Sequence, residues 1–357
     1  MADFKWCILG TGYVAQKFAR GLAVIPAMSA AFASRDRARA EAVANSVGAT
    51  GAFGSFEDAL ADDTVKAVYV ATPSHLHKEH AIAALSAGKP VLVEKPFALN
   101  GAEGREIVAA ARANNVFCME ALWTRFLPSI RHLKSLVDAG EIGEPQSLIA
   151  SFGLAEAPGG DNPLFDPARG GGALLDRGVY LLSLAQHVLG APSSITAKAR
   201  TSVTGVDEHT ALTLTYPNGA IASLIASLTA DLPNRFLISG TAGAIELDAP
   251  IFRPSRLTLS QTEPRTYAAG AAAGGKAAAL KESPLVHQLH QRLAPALKLK
   301  PQTGTSRLLK AYQGNGYHHQ AAEVMRAVAA SELESPIMPL EESLAVLDAV
   351  DAARQSD

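Results

Sequence analysis

The sequence predicts an α/β protein in which a parallel, doubly wound sheet is followed by a large, mainly antiparallel, open sheet. Its 357 residues exceed what one hydrophobic core usually organises, so we expect two domains. Short apolar runs alternate with helix-like stretches over about the first 120 residues, whereas later runs alternate apolar with polar residues. We place the boundary after residue 121, which gives domains at 1–121 and 122–357.

The first domain is predicted from five strand-sized runs rich in Val, Ile, Leu, Phe and Ala. These runs span residues 4–9, 30–34, 67–71, 91–94 and 116–119. Helical periodicity separates them, most clearly at 75–87 and 102–113. Repeated βαβ units form a parallel sheet with helices on both faces, and ligands gather at the carboxyl ends of its strands.

The second domain is predicted from strands of alternating character at 195–201, 210–216, 220–228, 235–239 and 244–247. Asn218-Gly219 predicts a hairpin turn between two of them, because this pair accepts positive φ at low cost. Helices are predicted at about 129–139, after Gly170-Gly171-Gly172, and at 320–329 and 341–353, and we expect the C-terminal pair to pack back on the first domain.

A sheet with helices on one side has a second face that either joins subunits or contacts solvent. We expect this face to form a homodimer or a higher oligomer. The Ala/Gly-rich segment 267–281 lacks apolar periodicity and is predicted to be a mobile loop or a frayed helix.

Composition points to a small-molecule partner. The chain is 48% hydrophobic and 18% charged with a formal net charge of −2, which gives no electrostatic reason to expect nucleic acid or a membrane as partner. Only Cys7 and Cys118 are present, and the first residues do not resemble a secretory signal. The cytoplasm is therefore the expected location.

A glycine-rich turn after the first strand predicts a Rossmann dinucleotide site. Its residues are Gly10, Thr11, Gly12, Tyr13, Val14 and Ala15. Gly10 permits the tight turn, Gly12 admits the pyrophosphate, and the small Ala15 lets the helix pack close to the strand. The amino end of that helix favours the phosphates.

The end of the second strand bears on the choice between NADP and NAD. Ser34 stands about where an acidic residue binds the ribose of NAD, and Arg35 and Arg39 are suited to a 2′-phosphate. We expect NADP to be preferred. The alternative is that these arginines form only a solvated helix start, with Asp36 serving the ribose.

Several segments resemble one known family. They are 71–77 (ATPSHLH), 93–97 (VEKPF), 170–180 (GGGALLDRGVY) and 204–208 (TGVDE). This pattern resembles the Gfo/Idh/MocA superfamily of oxidoreductases, named after glucose-fructose oxidoreductase and inositol dehydrogenase. With 120–126 (EALWTRF), it is most similar to the dimeric dihydrodiol dehydrogenase branch, which implies NADP-dependent oxidation of trans-dihydrodiols and some pentoses.

The resemblance implies that Lys95 is catalytic and that the proline after it helps to present it. Asp176 and Tyr180 are spaced i and i+4 on a predicted helix, so they share a face. A nearby Lys95 would lower the pKa of Tyr180 from about 10, which makes this phenol the expected proton-transfer group. Asp176 would orient Lys95 or a substrate hydroxyl. The alternatives are a surface lysine, a helix-capping aspartate and a half-buried aromatic.

Further residues are assigned to the cleft. Thr72, Pro73, His77 and Glu94, with Lys95, are expected beside the cofactor, although a histidine opening a helix is often only a cap. Trp123, Arg125, Phe152 and Arg169 are the candidate substrate residues. Phe126 would form an apolar wall with Trp123, and Phe165 is a further candidate for the same pocket. The histidines 287, 290, 318 and 319 lack the acidic or cysteine partners of a recognisable metal site, and no metal is expected.

The predicted activity is hydride transfer between a nicotinamide cofactor, preferably NADP, and a vicinal diol, dihydrodiol, sugar or polyol. Two other classes remain open. One is a glycosidase of the same fold that uses bound NAD transiently, and the other is a sensor that has kept the dinucleotide site without the chemistry. Intact Lys95, Asp176 and Tyr180 argue against the sensor.

Overall fold

A computed structural model describes residues 4–26, 28–159, 161–262, 283–284 and 304–355. The predicted loop at 267–281, the segment after it to 301, and the histidines at 287 and 290 lie outside these residues. Within them, no helix is long and apolar enough to span a bilayer.

The N-terminal sheet has six parallel strands, one more than predicted. The strands are β1 (Phe4–Leu9), β2 (Met28–Ala33), β3 (Gly51–Phe53), β4 (Val65–Val70), β5 (Val91–Glu94) and β6 (Cys118–Ala121). Their spatial order is β3-β2-β1-β4-β5-β6, so the order reverses between β1 and β4. The unpredicted β3 has only three residues, too few to show a pattern. This reversal creates the crevice in which ligands of such sheets bind.

Helices connect these strands and cover both faces. They are α1 (Tyr13–Leu22), α2 (Arg37–Val47), α3 (Phe56–Ala61), α4 (His77–Ser86) and α5 (Gly101–Asn114). The strands are mainly apolar because both faces of the sheet are covered, and Trp6, Phe32 and Tyr69 are completely buried.

Among the described residues, the C-terminal sheet has eight strands, and of these only β7 and β10 pair in parallel. The strands are β7 (Pro145–Gly153), β8 (Ser194–Thr201), β9 (Asp207–Thr215), β10 (Ile221–Ser227), β11 (Phe236–Gly240), β12 (Gly243–Leu247), β13 (Arg256–Gln261) and β14 (Thr305–Leu309). The expected α/β class with a mainly antiparallel second sheet is therefore confirmed. Strands β7, β13 and β14 were not predicted; in β7 the reason is that Ile149 lies on the outer face, which hides the alternation.

In the part of the chain that the structure describes, four helices accompany this sheet: α6 (Pro128–Asp138), α7 (Val179–Leu189), α8 (Tyr317–Ala329) and α9 (Leu340–Gln355). A π-helical turn, Leu174–Gly178, leads directly into α7. Helix α9 packs against α5, where Arg105 pairs with Asp348 at 2.8 Å and Arg112 with Glu341 at 2.5 Å. Helix α8 packs against α1. The C-terminal helices thus bring the two sheets together around one cleft.

Candidate active site

A cavity of about 790 Å³ lies at the carboxyl ends of β1, β2, β4 and β5. One wall consists of the glycine-rich turn, the end of β2 and the loops after β4 and β5. The opposite wall includes Pro163, Leu164 and Arg169 from the second half of the chain, and Asp176 lies at the inner end. The two halves of the molecule therefore build this cleft jointly.

The glycine-rich turn has the geometry that a dinucleotide requires. Gly10 has φ +107°, and a Cβ there would lie 2.6 Å from the carbonyl oxygen of Ala71, so only glycine fits. Gly12 precedes α1, and no side chain caps that helix. The first N–H groups of α1 are thereby left for an anionic ligand, which suits a pyrophosphate.

The end of β2 presents two arginines to the cleft. Asp36 caps α2 by accepting the backbone N–H of Arg39 at 3.1 Å, and Ser34 Oγ accepts the N–H of Asp36 at 3.2 Å. Arg35 and Arg39 line the cavity, are exposed, and form no ion pair with another described residue. Two guanidinium groups thus remain available for a phosphate.

Lys95 and Asp176 form an ion pair at the inner end of the cleft. Lys95 Nζ donates to Asp176 Oδ1 at 2.6 Å and to the Asp176 carbonyl oxygen at 2.9 Å. An ammonium has three N–H groups, so one N–H of Lys95 donates to no other described residue. Two roles were expected for Asp176, to orient Lys95 or to orient a substrate hydroxyl. The two hydrogen bonds from Lys95 agree with the first role.

Tyr180 lies beside this pair. Lys95 Nζ is 5.2 Å from the centre of the Tyr180 ring, and Trp123 Nε1 donates to the Tyr180 hydroxyl at 3.3 Å. The structure therefore brings the three predicted catalytic residues together, although Lys95 follows a strand of the first sheet and the other two lie near the second.

Burial controls the electrostatics of this cluster. It raises the pKa of Tyr180 to about 12, although Lys95 acts in the opposite direction. The expectation of a net lowered phenol pKa was therefore wrong. Burial also opposes the charges of Lys95 and Asp176, but their pairing prevails, with the pKa of Lys95 raised and that of Asp176 lowered.

Two further buried groups hold the loops around Lys95. Glu94 accepts the backbone N–H of Lys95 at 3.0 Å and the hydroxyl of Tyr69, and burial raises its pKa to about 7. The ring nitrogens of His77 face the carbonyl oxygens of Pro96 at 2.8 Å and Thr72 at 2.9 Å. Burial lowers the pKa of His77 to about 4. His77 borders the cleft, yet its polar atoms join the two loops that carry Thr72, Pro73 and Lys95.

Aromatic rings surround the phenol. Trp123 stacks on Tyr317 with ring centres 4.6 Å apart. Phe152 meets Tyr180 edge-on at 5.5 Å and stacks on Phe252 at 5.2 Å. The sequence patterns did not assign Tyr317 or Phe252 to the site.

The other residues that were expected to bind substrate differ in where the structure places them. Arg169 lines the cleft and pairs with Asp161. Arg125 is fully buried, where its guanidinium donates to Ser183 and pairs with Glu342, so it braces α7 and α9 and does not face the cleft. Phe126 and Phe165 are 5% exposed. Among the described residues, no group of three or more His, Cys, Asp or Glu side chains is arranged to hold a metal ion.

The cleft lies where the strand order of the parallel sheet reverses, and the Lys95 ammonium and the Tyr180 phenol meet at its inner end. These features define the class of protein. The protein is an oxidoreductase with an NAD(P)-binding Rossmann fold.

Comparison with known proteins places the chain within that class. Residues 4–122 match the oxidoreductase family with an NAD-binding Rossmann fold, and residues 130–246 match the GFO/IDH/MocA C-terminal domain. The chain is 32% identical to the trans-1,2-dihydrobenzene-1,2-diol dehydrogenase of Bos taurus, over 99% of this chain and 96% of that protein. It belongs to the Gfo/Idh/MocA oxidoreductase family, in its dihydrodiol dehydrogenase branch.

Solved structures share the fold at lower identity. One of them is KijD10, a 3-ketoreductase from Actinomadura kijaniata in complex with NADP, which is 24% identical to this chain and superposes with a TM-score of 0.78. The match covers 99% of this chain and 98% of the KijD10 chain. A levoglucosan dehydrogenase in complex with NADH is 22% identical with a TM-score of 0.80, covering 100% and 97%. The whole two-sheet architecture is therefore common to both.

Proposed function

We propose that this protein catalyses the reversible, NADP-preferring oxidation of a vicinal diol, with a trans-dihydrodiol of an arene as the first substrate to test and a pentose such as xylose as the second. The observation that carries the proposal is the meeting of Lys95 and Asp176, which line the inner end of the cleft, with Tyr180, which is buried beside them among aromatic rings. Two relatives that are 32% and 36% identical to this chain are named trans-1,2-dihydrobenzene-1,2-diol dehydrogenase, and this name supports a dihydrodiol as the substrate.

The residues supply the proton chemistry of the reaction. A bound nicotinamide would supply the hydride acceptor for the carbinol carbon in the oxidative direction. Tyr180 exchanges the hydroxyl proton of the substrate, and the free N–H of Lys95 polarises the same oxygen. Asp176 fixes the Lys95 ammonium, and Trp123 fixes the Tyr180 hydroxyl by donating to it. Since burial favours the neutral phenol, Tyr180 is poised to donate a proton in the reductive direction.

The aromatic rings beside the cluster favour a ring-bearing substrate. Trp123 donates to the Tyr180 hydroxyl and Phe152 meets the Tyr180 ring edge-on, next to the polar groups of Lys95 and Asp176. A dihydrodiol places an apolar ring and two adjacent hydroxyls in that arrangement. Oxidation of the carbinol followed by tautomerisation gives a catechol.

The preference for NADP is part of the proposal. It is supported by the exposure of Arg35 and Arg39 at the cleft and by the engagement of Asp36 as a helix cap. A ribose 2′-phosphate would meet two cations there, whereas the unphosphorylated ribose of NAD gains little from them.

We also propose a homodimer formed through the outer face of the second sheet, with the substrate site in residues 122–357, the cofactor site in 1–121, and the cytoplasm as location. The support for the dimer is the exposure of Ile149 (57%), Ile221 (48%) and Ile225 (38%) on the adjacent strands β7 and β10. Apolar side chains on a flat, exposed sheet face are typical of a subunit interface.

Activity is tested by a substrate screen. Purified protein is mixed with NADP⁺ or NAD⁺ and with trans-1,2-dihydrobenzene-1,2-diol, pentoses or hexoses, and the absorbance of the reduced nicotinamide is followed. Turnover of the dihydrodiol or of a pentose, faster with NADP⁺, is expected. Glycoside cleavage without net reduction of cofactor would instead identify the glycosidase class, and binding of NADP⁺ without any turnover would identify a sensor.

A further inference from the structure

Arg177, which directly follows Asp176, is a buried cation with contacts on both sides of the catalytic cluster. It is 2% exposed. Its Nε donates to Asp176 Oδ2 at 3.2 Å, one terminal nitrogen donates to the carbonyl oxygens of Leu154 and Ser227 at 2.6 and 3.1 Å, and the other pairs with Glu156 at 2.9 Å. Burying a guanidinium is costly unless its donors are satisfied in this way.

The Asp176 carboxylate is consequently shared by two cations. Lys95 binds Oδ1 and Arg177 binds Oδ2, so each oxygen has its own partner. A carboxylate with only Lys95 beside it is free to rotate or to bind the ammonium with both oxygens. With Arg177 on the second oxygen, its orientation is determined, and so is the direction in which the remaining Lys95 N–H points.

The same guanidinium supports the phenol side of the cluster. Its central carbon lies 5.5 Å from the centre of the Phe152 ring, and Phe152 meets Tyr180 edge-on. Arg177 therefore braces Asp176 through a hydrogen bond and Tyr180 through one intervening ring. The contacts with Leu154 and Glu156 fasten the start of the segment that continues to Leu164 and Arg169 in the cleft wall.

We propose that Arg177 is a positioning residue for hydride transfer: by holding Asp176 Oδ2 it aims the Lys95 ammonium at the substrate oxygen beside Tyr180. The proposal rests on the function proposed above. Arg177 is not a catalytic residue, because the groups it contacts are Asp176, Phe152, Glu156 and two backbone carbonyls.

Arg177 also limits how tightly Asp176 holds the Lys95 proton. A carboxylate that serves two cations attracts each less strongly than one that serves a single cation, and a neighbouring positive charge favours release of the lysine proton. Without Arg177, we expect Lys95 to be held more tightly by Asp176 and to be less available to the substrate.

The test compares four variants. Arg177→Met removes the cation, and Arg177→Lys keeps the charge but loses the planar fork. Arg177→Met/Glu156→Gln removes both partners, so that no unpaired charge is left beside the cluster if the single variant folds poorly. Glu156→Gln alone is the matched control, since it removes the other salt bridge of Arg177 and leaves the contact with Asp176.

Turnover is measured with NADP⁺ and trans-1,2-dihydrobenzene-1,2-diol, and kcat is expressed per NADPH-binding site, which excludes unfolded protein. For Arg177→Met and the double variant we expect kcat to fall by about tenfold, corresponding to about one pKa unit of lost interaction, with the Kd for NADPH unchanged within about twofold. Arg177→Lys should recover part of the loss, and Glu156→Gln should stay near wild type.

A second measurement does not need turnover. Lys95 is labelled with pyridoxal phosphate and borohydride, and the rate is followed by peptide mass spectrometry as a function of pH. Loss of Arg177 should slow labelling at a given pH by about tenfold because the amine stays protonated. Asp176→Asn marks the opposite direction and should accelerate it.

The outcomes separate the two proposals. If the wild-type protein oxidises no diol or sugar, the proposed function fails, and the labelling rates still decide the role of Arg177. If the Arg177 variants lose only folded protein, with kcat per binding site and Lys95 labelling as in wild type, Arg177 is merely structural and the inference is overturned.

Discussion

The two ends of the cleft differ in how far they are organised by the protein itself. At the inner end, Tyr180 is buried and Lys95 and Asp176 are half-buried among partners, and their pKa values are set by desolvation and pairing. At the outer end, Arg35 and Arg39 are exposed. The comparison indicates that the chemistry depends on groups fixed in advance, whereas recognition of the adenosine end depends on charges that gain their partner from the ligand.

The largest effect should come from the inner end. Tyr180→Phe removes the hydroxyl while keeping the ring packed against Phe152, so we expect kcat to fall by roughly 10²- to 10⁴-fold. NADPH binding, followed by fluorescence titration, should change by less than about twofold. Turnover retained at the wild-type rate would remove Tyr180 from its assigned role.

The next effect belongs to the outer end. Arg35→Ala removes one of the two exposed cations, and we expect the Kd for NADP⁺ to rise by about tenfold, since a charge-assisted contact with a phosphate is lost. The Kd for NAD⁺ should change little. Arg37→Ala is the matched control, because Arg37 is an exposed arginine only two residues further along the chain, but it pairs with Glu41 at 2.9 Å and does not line the cleft. Equal weakening of both cofactors by Arg35→Ala would contradict the 2′-phosphate assignment.

The pH dependence distinguishes the two directions of reaction. Oxidation needs Tyr180 to accept a proton, and with a pKa of about 12 the ionised fraction rises with pH. The kcat/KM for oxidation should therefore increase by about tenfold per unit between pH 7 and 9, while that for reduction stays nearly flat. A plateau above pH 7 would instead point to Glu94, whose pKa is about 7, as the group that limits the rate.

The smallest effect on activity is expected at the exposed outer face of the second sheet, which carries none of the residues assigned to the cleft. Ile225→Lys places a charge on the exposed face and should convert a dimer to a monomer in size-exclusion chromatography with light scattering, with kcat changed by less than about threefold. Ser223→Lys places the same charge on the same face and strand without removing an apolar side chain. It therefore tests whether dimer formation depends on the isoleucine side chains or on the absence of charge from this face. A wild-type monomer at high concentration would refute the interface.

Sequence patterns predicted the parts of the fold that depend on local order. The turn at Gly10 and Gly12 and the alternation of strands and helices need only nearby residues, and both are present. The meeting of Lys95 with Asp176 joins residues 81 positions apart, and it was anticipated through resemblance to a family.

Errors arose where burial decides the outcome. Arg125 was assigned to the substrate site, but its guanidinium is enclosed and its partner Glu342 is 217 positions away in the sequence. The pKa of Tyr180 was expected to fall because a lysine was near, and the desolvation that outweighs that charge depends on packing from both sheets. Arg177 shows the same limit, since nothing in its neighbours along the chain reveals that it is enclosed.

The bond between Lys95 and Asp176 has a consequence for how the protein responds to heat and denaturant. Lys95 directly follows β5 of the parallel sheet, and Asp176 lies in the π-helical turn beside the mixed sheet. A slip of about 1 Å between the two sheets therefore suffices to misalign the pair. The ion pairs that fasten α9 to α5 are solvent-accessible and are among the first contacts to weaken. Turnover should accordingly fade while both sheets still give a folded circular dichroism spectrum, which makes the reaction rate a sensitive gauge of their mutual alignment.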